Sequence, residues 1–116
     1  MAEYKNVLRL SNDKASLEVA WREMVSEQVA LETIFSYLDE DEVNVRFTGK
    51  TNRGRAYFSG AIMLPKEGPG LTMGLVLHEV AHIISYNDKM VRGHGPEFVK
   101  VLDGIIFSEK LYKETT

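Results

Sequence analysis

All three histidines of this chain fall between positions 78 and 94: His78 and His82 in HEVAH, and His94 in RGHGPEF. This clustering constrains the fold more than any other feature. Four residues of helix bring two side chains to one face, about 6 Å apart along the axis. His94 cannot extend that helix, because twelve further residues would carry it about 18 Å away. If the three act together, the chain must reverse between them. The intervening sequence offers a way to do so. Asn87 and Asp88 suit a helix end, Gly93 and Gly95 free the backbone around His94, and Pro96 suits the first turn of a new helix.

Imidazole is the commonest protein metal ligand. The chain has no cysteine, so any metal must be held by nitrogen or oxygen. Two imidazoles at helical i, i+4 spacing can close on one ion at about 2.0–2.1 Å per bond. A third leaves one position of a tetrahedral zinc open to water, the arrangement of a catalytic site. Glu79 is rotated about 100° around the helix from His78, so it can lie beside the metal without taking a ligand position. There it can accept the proton of a water attacking a carbonyl. A lone histidine is more often structural. Here a predicted helix, apolar flanks and a glycine-flanked third histidine lift the pattern above coincidence.

The rest of the chain predicts an α+β fold in a single domain over residues 1–116. A hydrophobic fraction of 44% and a charged fraction of 27% suit an ordinary globular domain. Apolar residues Leu17, Ala20, Trp21, Met24, Leu31, Ile34 and Leu38 predict a helix from Ser16 to Leu38, started by Asp13 or Ser11. Asp39, Glu40, Asp41 and Glu42 read as a solvated loop. VNVRFTG (43–49) alternates as a half-buried strand, and KTNRG reads as a hairpin turn. Arg55 to Pro65 reads as one bent strand or two short ones, bent at Gly60. A helix capped by Thr72 runs from Leu71 to about Tyr86. A last helix, capped by Gly95, runs roughly from Pro96 to Lys113, with Phe98, Val101, Leu102, Ile105 and Ile106 facing the core. The order is an N-terminal helix, a small sheet of two to three strands, the histidine helix and a C-terminal helix.

The segment HEVAHIISYNDKMVRGHGPEFVKVL resembles the zinc site of the SprT-like (Spartan-type) metalloproteases, and GRAYFSGAIMLP resembles the strand region before it. The likeness spans roughly residues 43 to 107. It implies a minimal zincin fold, with His78, His82 and His94 as zinc ligands, Glu79 as catalytic base and Phe98 as a packing residue. It also implies a zinc-dependent endopeptidase acting on proteins or peptides, DNA-associated ones included. Several members of that family continue into a cysteine zinc ribbon. The absence of cysteine here leaves only the peptidase core implied.

Other residues carry weaker expectations. Arg46, Lys50, Arg53 and Arg55 form either a solvated turn or a weak contact to DNA phosphate. Tyr57, Tyr86 and Arg92 are candidates for stabilising a developing oxyanion. The strand between Arg55 and Leu64 is a candidate edge on which a substrate could lie as an added strand. A net charge of −3 gives no general attraction to nucleic acid or to an anionic membrane. The N-terminus MAEYKNVLRLSNDK lacks the apolar run of a signal peptide, and no stretch is long enough to span a bilayer. These features predict a cytoplasmic protein without a membrane partner. The alternatives to a peptidase are a non-catalytic zinc-containing binding module and a DNA-associated adaptor. Glu79 disfavours the first, since a structural zinc needs no base.

Overall fold

Strand alternation organises the sheet. The computed structural model of the chain describes residues 23–49 and 54–115, with the backbone alone for 89 and 110–115. In β1 (Asn44–Thr48), Val45 and Phe47 turn toward the core while Asn44 and Arg46 stay exposed. In β3 (Ala61–Pro65), Ile62 and Leu64 are fully buried. The two strands pair in parallel with Val45 opposite Ile62 and Phe47 opposite Leu64, so both apolar rows share one face. β2 (Arg55–Ala56) pairs antiparallel on the other side of β3, giving the order β1-β3-β2.

The expected hairpin at KTNRG is therefore not the one that forms. β1 does not pair with the strand that follows it. The hairpin joins β2 to β3 through residues 57–60, where Gly60 has φ +102 and a Cβ would run into the Glu42 carbonyl. The physical reason is burial. AIMLP is the most apolar of the three segments, and the central position covers both of its edges.

α1 (Glu27–Tyr37) covers the later part of the helix that periodicity predicts, and the described residues before it, 23–26, are not helical. Ser26 caps it, its hydroxyl accepting from the Val29 N–H at 3.0 Å. Residues 23–25 are extended and not helical. They run against residues 71–73: Val25 N–H donates to Leu71 O and Met73 N–H to Glu23 O. Met24 is consequently 61% exposed and outside the core. Competition from these tertiary hydrogen bonds overrides a helical pattern that the sequence continues unbroken. The expected helix start at Ser11 or Asp13, and Leu17, Ala20 and Trp21, lie outside the described residues. Asp39 to Glu42 form the exposed turn that their charges require.

α2 (Met73–Lys89) begins where predicted, with the Thr72 hydroxyl accepting from Leu75 N–H. Its buried face carries Met73, Val76, Leu77, Val80, Ala81 and Ile83. Each large apolar side chain so buried contributes about 1.5–3 kcal/mol. A cap is worth about 1 kcal/mol, so packing and not capping decides that this helix forms. It packs against α1, β2 and α3 (Pro96–Thr115). α3 buries Phe98, Val99, Leu102, Ile105 and Ile106, while the predicted Val101 is only partly covered. Among the described residues, no helix is long and apolar enough to cross a membrane.

A polar contact joins α1 to α3, the Tyr37 hydroxyl donating to Glu109 Oε1 at 2.7 Å. Burial, and then the Glu109 carboxylate, push the Tyr37 phenol up to about 12. The folded state thus keeps this proton at a pH where the unfolded chain, near 10, has lost it. Its contribution is complete below pH 10 and fades as pH rises toward 12. We expect the stability of the parent protein to fall more steeply over that window than that of Tyr37→Phe in urea melts. Parallel pH profiles for the two proteins would remove the contact from the account.

Candidate metal centre

On α2, His78, His82 and Tyr86 lie on successive turns of one face. The two histidines are half-buried. The helix does not stop near Tyr86 as expected. Asn87 and Asp88 remain helical, and the chain turns at Met90, which takes the left-handed conformation (φ 58, ψ 28). The Met90 N–H reaches the carbonyls of Ser85 and Tyr86, and the Val91 N–H adds a second bond to Ser85. Neither Gly93 nor Gly95 has φ in the left-handed range, and a Cβ on either would meet nothing within 4 Å. The reversal expected of the glycines is made by a methionine instead. Pro96 then opens α3, and the Gly95 carbonyl accepts the first helical bond, from Val99 N–H at 3.0 Å.

This reversal returns His94 to the face it left. The Nε2 atoms stand 3.1 Å apart for His78 and His82, 3.0 Å for His82 and His94, and 3.3 Å for His78 and His94. Three mutual hydrogen bonds cannot explain this triangle. A ring nitrogen either carries a proton and donates or lacks one and accepts. Among three nitrogens at least two share a role, so one edge must set like against like. A cation resolves the conflict, because all three lone pairs can point at it. The size also fits: tetrahedral ligands at about 2.0–2.1 Å have edges of about 3.3–3.4 Å. His78, His82 and His94 are thus one group able to hold a metal ion.

Phe98 forms the wall behind the triangle. It is fully buried, and its ring centroid lies 4.4 Å from that of His82, 4.9 Å from His94 and 5.1 Å from His78. One side chain on α3 therefore touches all three imidazoles and fixes the orientation of each. The packing role expected of Phe98 is bound up with the site itself.

Glu79 is 3% exposed, unusual for a carboxylate. It points between α2 and the start of β2, where Gly54 lies against it. Gly54 reads in the sequence as turn chemistry, and nothing local marks this contact. Arg92 and Tyr86 are brought together as well. The Arg92 guanidinium lies 5.0 Å over the Phe58 ring and 5.7 Å over Tyr86, and the two rings stack at 4.3 Å. This stack ties the β2–β3 turn to the loop carrying His94, and Phe58 is a member that sequence reading missed. Tyr57 is 42% exposed, and its N–H closes the hairpin on Ala61 O. Of the basic cluster, Lys50 and Arg53 lie outside the described residues. Arg46 and Arg55 flank Met63 in register on the face of the sheet away from the buried Ile62 and Leu64.

We expect purified protein to bind one divalent metal, and replacement of any of the three histidines by Ala to abolish or greatly weaken binding. Phe98→Ala should lower affinity by about 10–100-fold, the usual cost of losing support behind a ligand. Metal titration by calorimetry reads both. Undiminished affinity in His94→Ala would exclude that residue from the centre.

The centre has to be judged on this geometry, since no protein-family model, curated protein or solved structure matches the chain.

Proposed function

We propose that this protein is a zinc-dependent peptidase of the SprT-like type. The observation that carries the reading is the convergence of three imidazole nitrogens, with a buried carboxylate, Glu79, next in sequence to His78 on the helix that supplies two of them. The all-nitrogen donor set suits zinc among the common metals. Zinc bound there would acidify a water and polarise a carbonyl. The rest falls to the chain. Phe98 excludes water from one side of the ligands. Glu79 accepts the proton from the attacking water and returns it to the leaving amine. Its burial keeps competing solvent away from that exchange.

The edge expected to receive substrate needs revision. β3 is paired with β1 along residues 61–65 and with β2 at Ile62 and Met63, so the middle of that strand is closed on both sides. Among the described residues β1 and β2 are the two edges of the sheet, and β2 is the one that lies by Glu79. Tyr57 bonds inward to Ala61, so by antiparallel alternation Ala56 turns its N–H and C=O outward. An extended substrate can pair there, next to Glu79, with main-chain bonds that make little demand on sequence.

Two experiments test the reading. Glu79→Gln should retain zinc and fold while losing peptide hydrolysis by about 10²–10⁴-fold. An unchanged cleavage rate would deny Glu79 its role. A wild-type protein that holds zinc but cleaves no peptide would favour a binding module. In Glu79→Gln with saturating peptide, hydrogen exchange at Ala56 should slow. Protection appearing only at other elements would move the substrate off β2.

A further inference from the structure

The described glycines meet different demands. Gly60 is held by a positive φ, and a Cβ at Gly93, Gly95 or Gly104 would meet nothing within 4 Å. Gly54 is another case. What it lacks is room. A Cβ built there would lie 2.6 Å from Glu79 Oε2, 2.9 Å from Cγ and 3.0 Å from Cδ. Carbon atoms in ordinary contact stand about 3.5–4.0 Å apart.

Turning the carboxylate about its last bond would move only the oxygens. Cγ and Cδ would still collide, so the whole Glu79 side chain would have to change rotamer. At 3% exposure it has no solvent to move into. The missing side chain of Gly54 is therefore the space that the Glu79 carboxylate occupies.

We infer that Gly54 is the positioning residue for Glu79: its bare Cα forms the seat that holds the carboxylate between α2 and the β2 edge of the sheet. This rests on the peptidase reading for its catalytic consequence, though the seat itself is a matter of packing. It also ties two parts of the site together. The residue that seats Glu79 directly precedes the strand on which substrate would lie, so a shift of that strand moves the carboxylate with it.

The test is a double-mutant cycle read in two ways. By thermal unfolding, Gly54→Ala should lower Tm by roughly 4 °C or more in the parent. In a Glu79→Ala background it should lower Tm little, because the clash is gone. Failure of Gly54→Ala to fold in the parent, with recovery in the Glu79→Ala background, supports the seat equally. An equal loss of Tm in both backgrounds overturns it. By activity, Gly54→Ala should reduce kcat about 10²-fold, the effect of roughly 1 Å of misplacement. KM and zinc affinity should stay within a few-fold of the parent. The shorter carboxylate of Glu79→Asp should make Gly54→Ala less costly in kcat. An equal cost beside either acid counts against the seat. If no variant or parent cleaves peptide, the peptidase reading fails, and the Tm cycle alone still decides whether Gly54 seats Glu79.

Discussion

Everything at the centre depends on one return of the chain, from the end of α2 to the start of α3. The three Nε2 atoms come within 3.3 Å of one another because residues 90–95 reverse direction in a single loop. That loop has little burial of its own, with His94 and both neighbouring glycines exposed. Its position is set from outside. The Met90 turn fixes one end, Phe98 under the imidazoles fixes the other, and Arg92 lies on the Phe58–Tyr86 stack between them. A bound metal would be a fourth constraint, and its binding energy would add directly to the stability of the closed loop.

The sheet packs on the flank of α2 that carries Glu79. Placing β3 in the middle buries Ile62 and Leu64 completely and leaves β2, among the described residues, as a two-residue edge. Short edges limit unwanted strand pairing. This one lies where α2 presents Glu79, so the exposed backbone and the buried carboxylate are neighbours. The ligands are on the side of α2 that meets the returning loop and α3, and the carboxylate is on the side that meets the strand. One helix thus carries two of the three imidazoles and the buried carboxylate.

How much of this is legible in the sequence follows from the range of each interaction. The Thr72 cap, Pro96 at the head of α3 and the shared face of His78 and His82 depend on residues within a turn of one another. All three stand where the spacing predicts. The strand order is not local. Nothing within VNVRF states that it will pair in parallel with AIMLP beyond an intervening strand. The start of α1 misleads because helical periodicity continues through Met24, while hydrogen bonds to Leu71 and from Met73 hold that segment extended. At the loop, Gly93 and Gly95 attract attention by composition, yet the left-handed residue is Met90. Gly54 is the clearest limit. Its requirement comes from Glu79, far along the chain, and a glycine in NRG gives no sign of it.

The central claim is that His78, His82 and His94 bind one ion together, with a place left open. X-ray absorption at the zinc edge of the loaded protein measures this most directly. The account predicts one zinc per chain, with three imidazole nitrogens at about 2.0–2.1 Å and one further light ligand from solvent. A protein that takes up no stoichiometric metal, or a spectrum that fits two imidazoles or fewer, would contradict it.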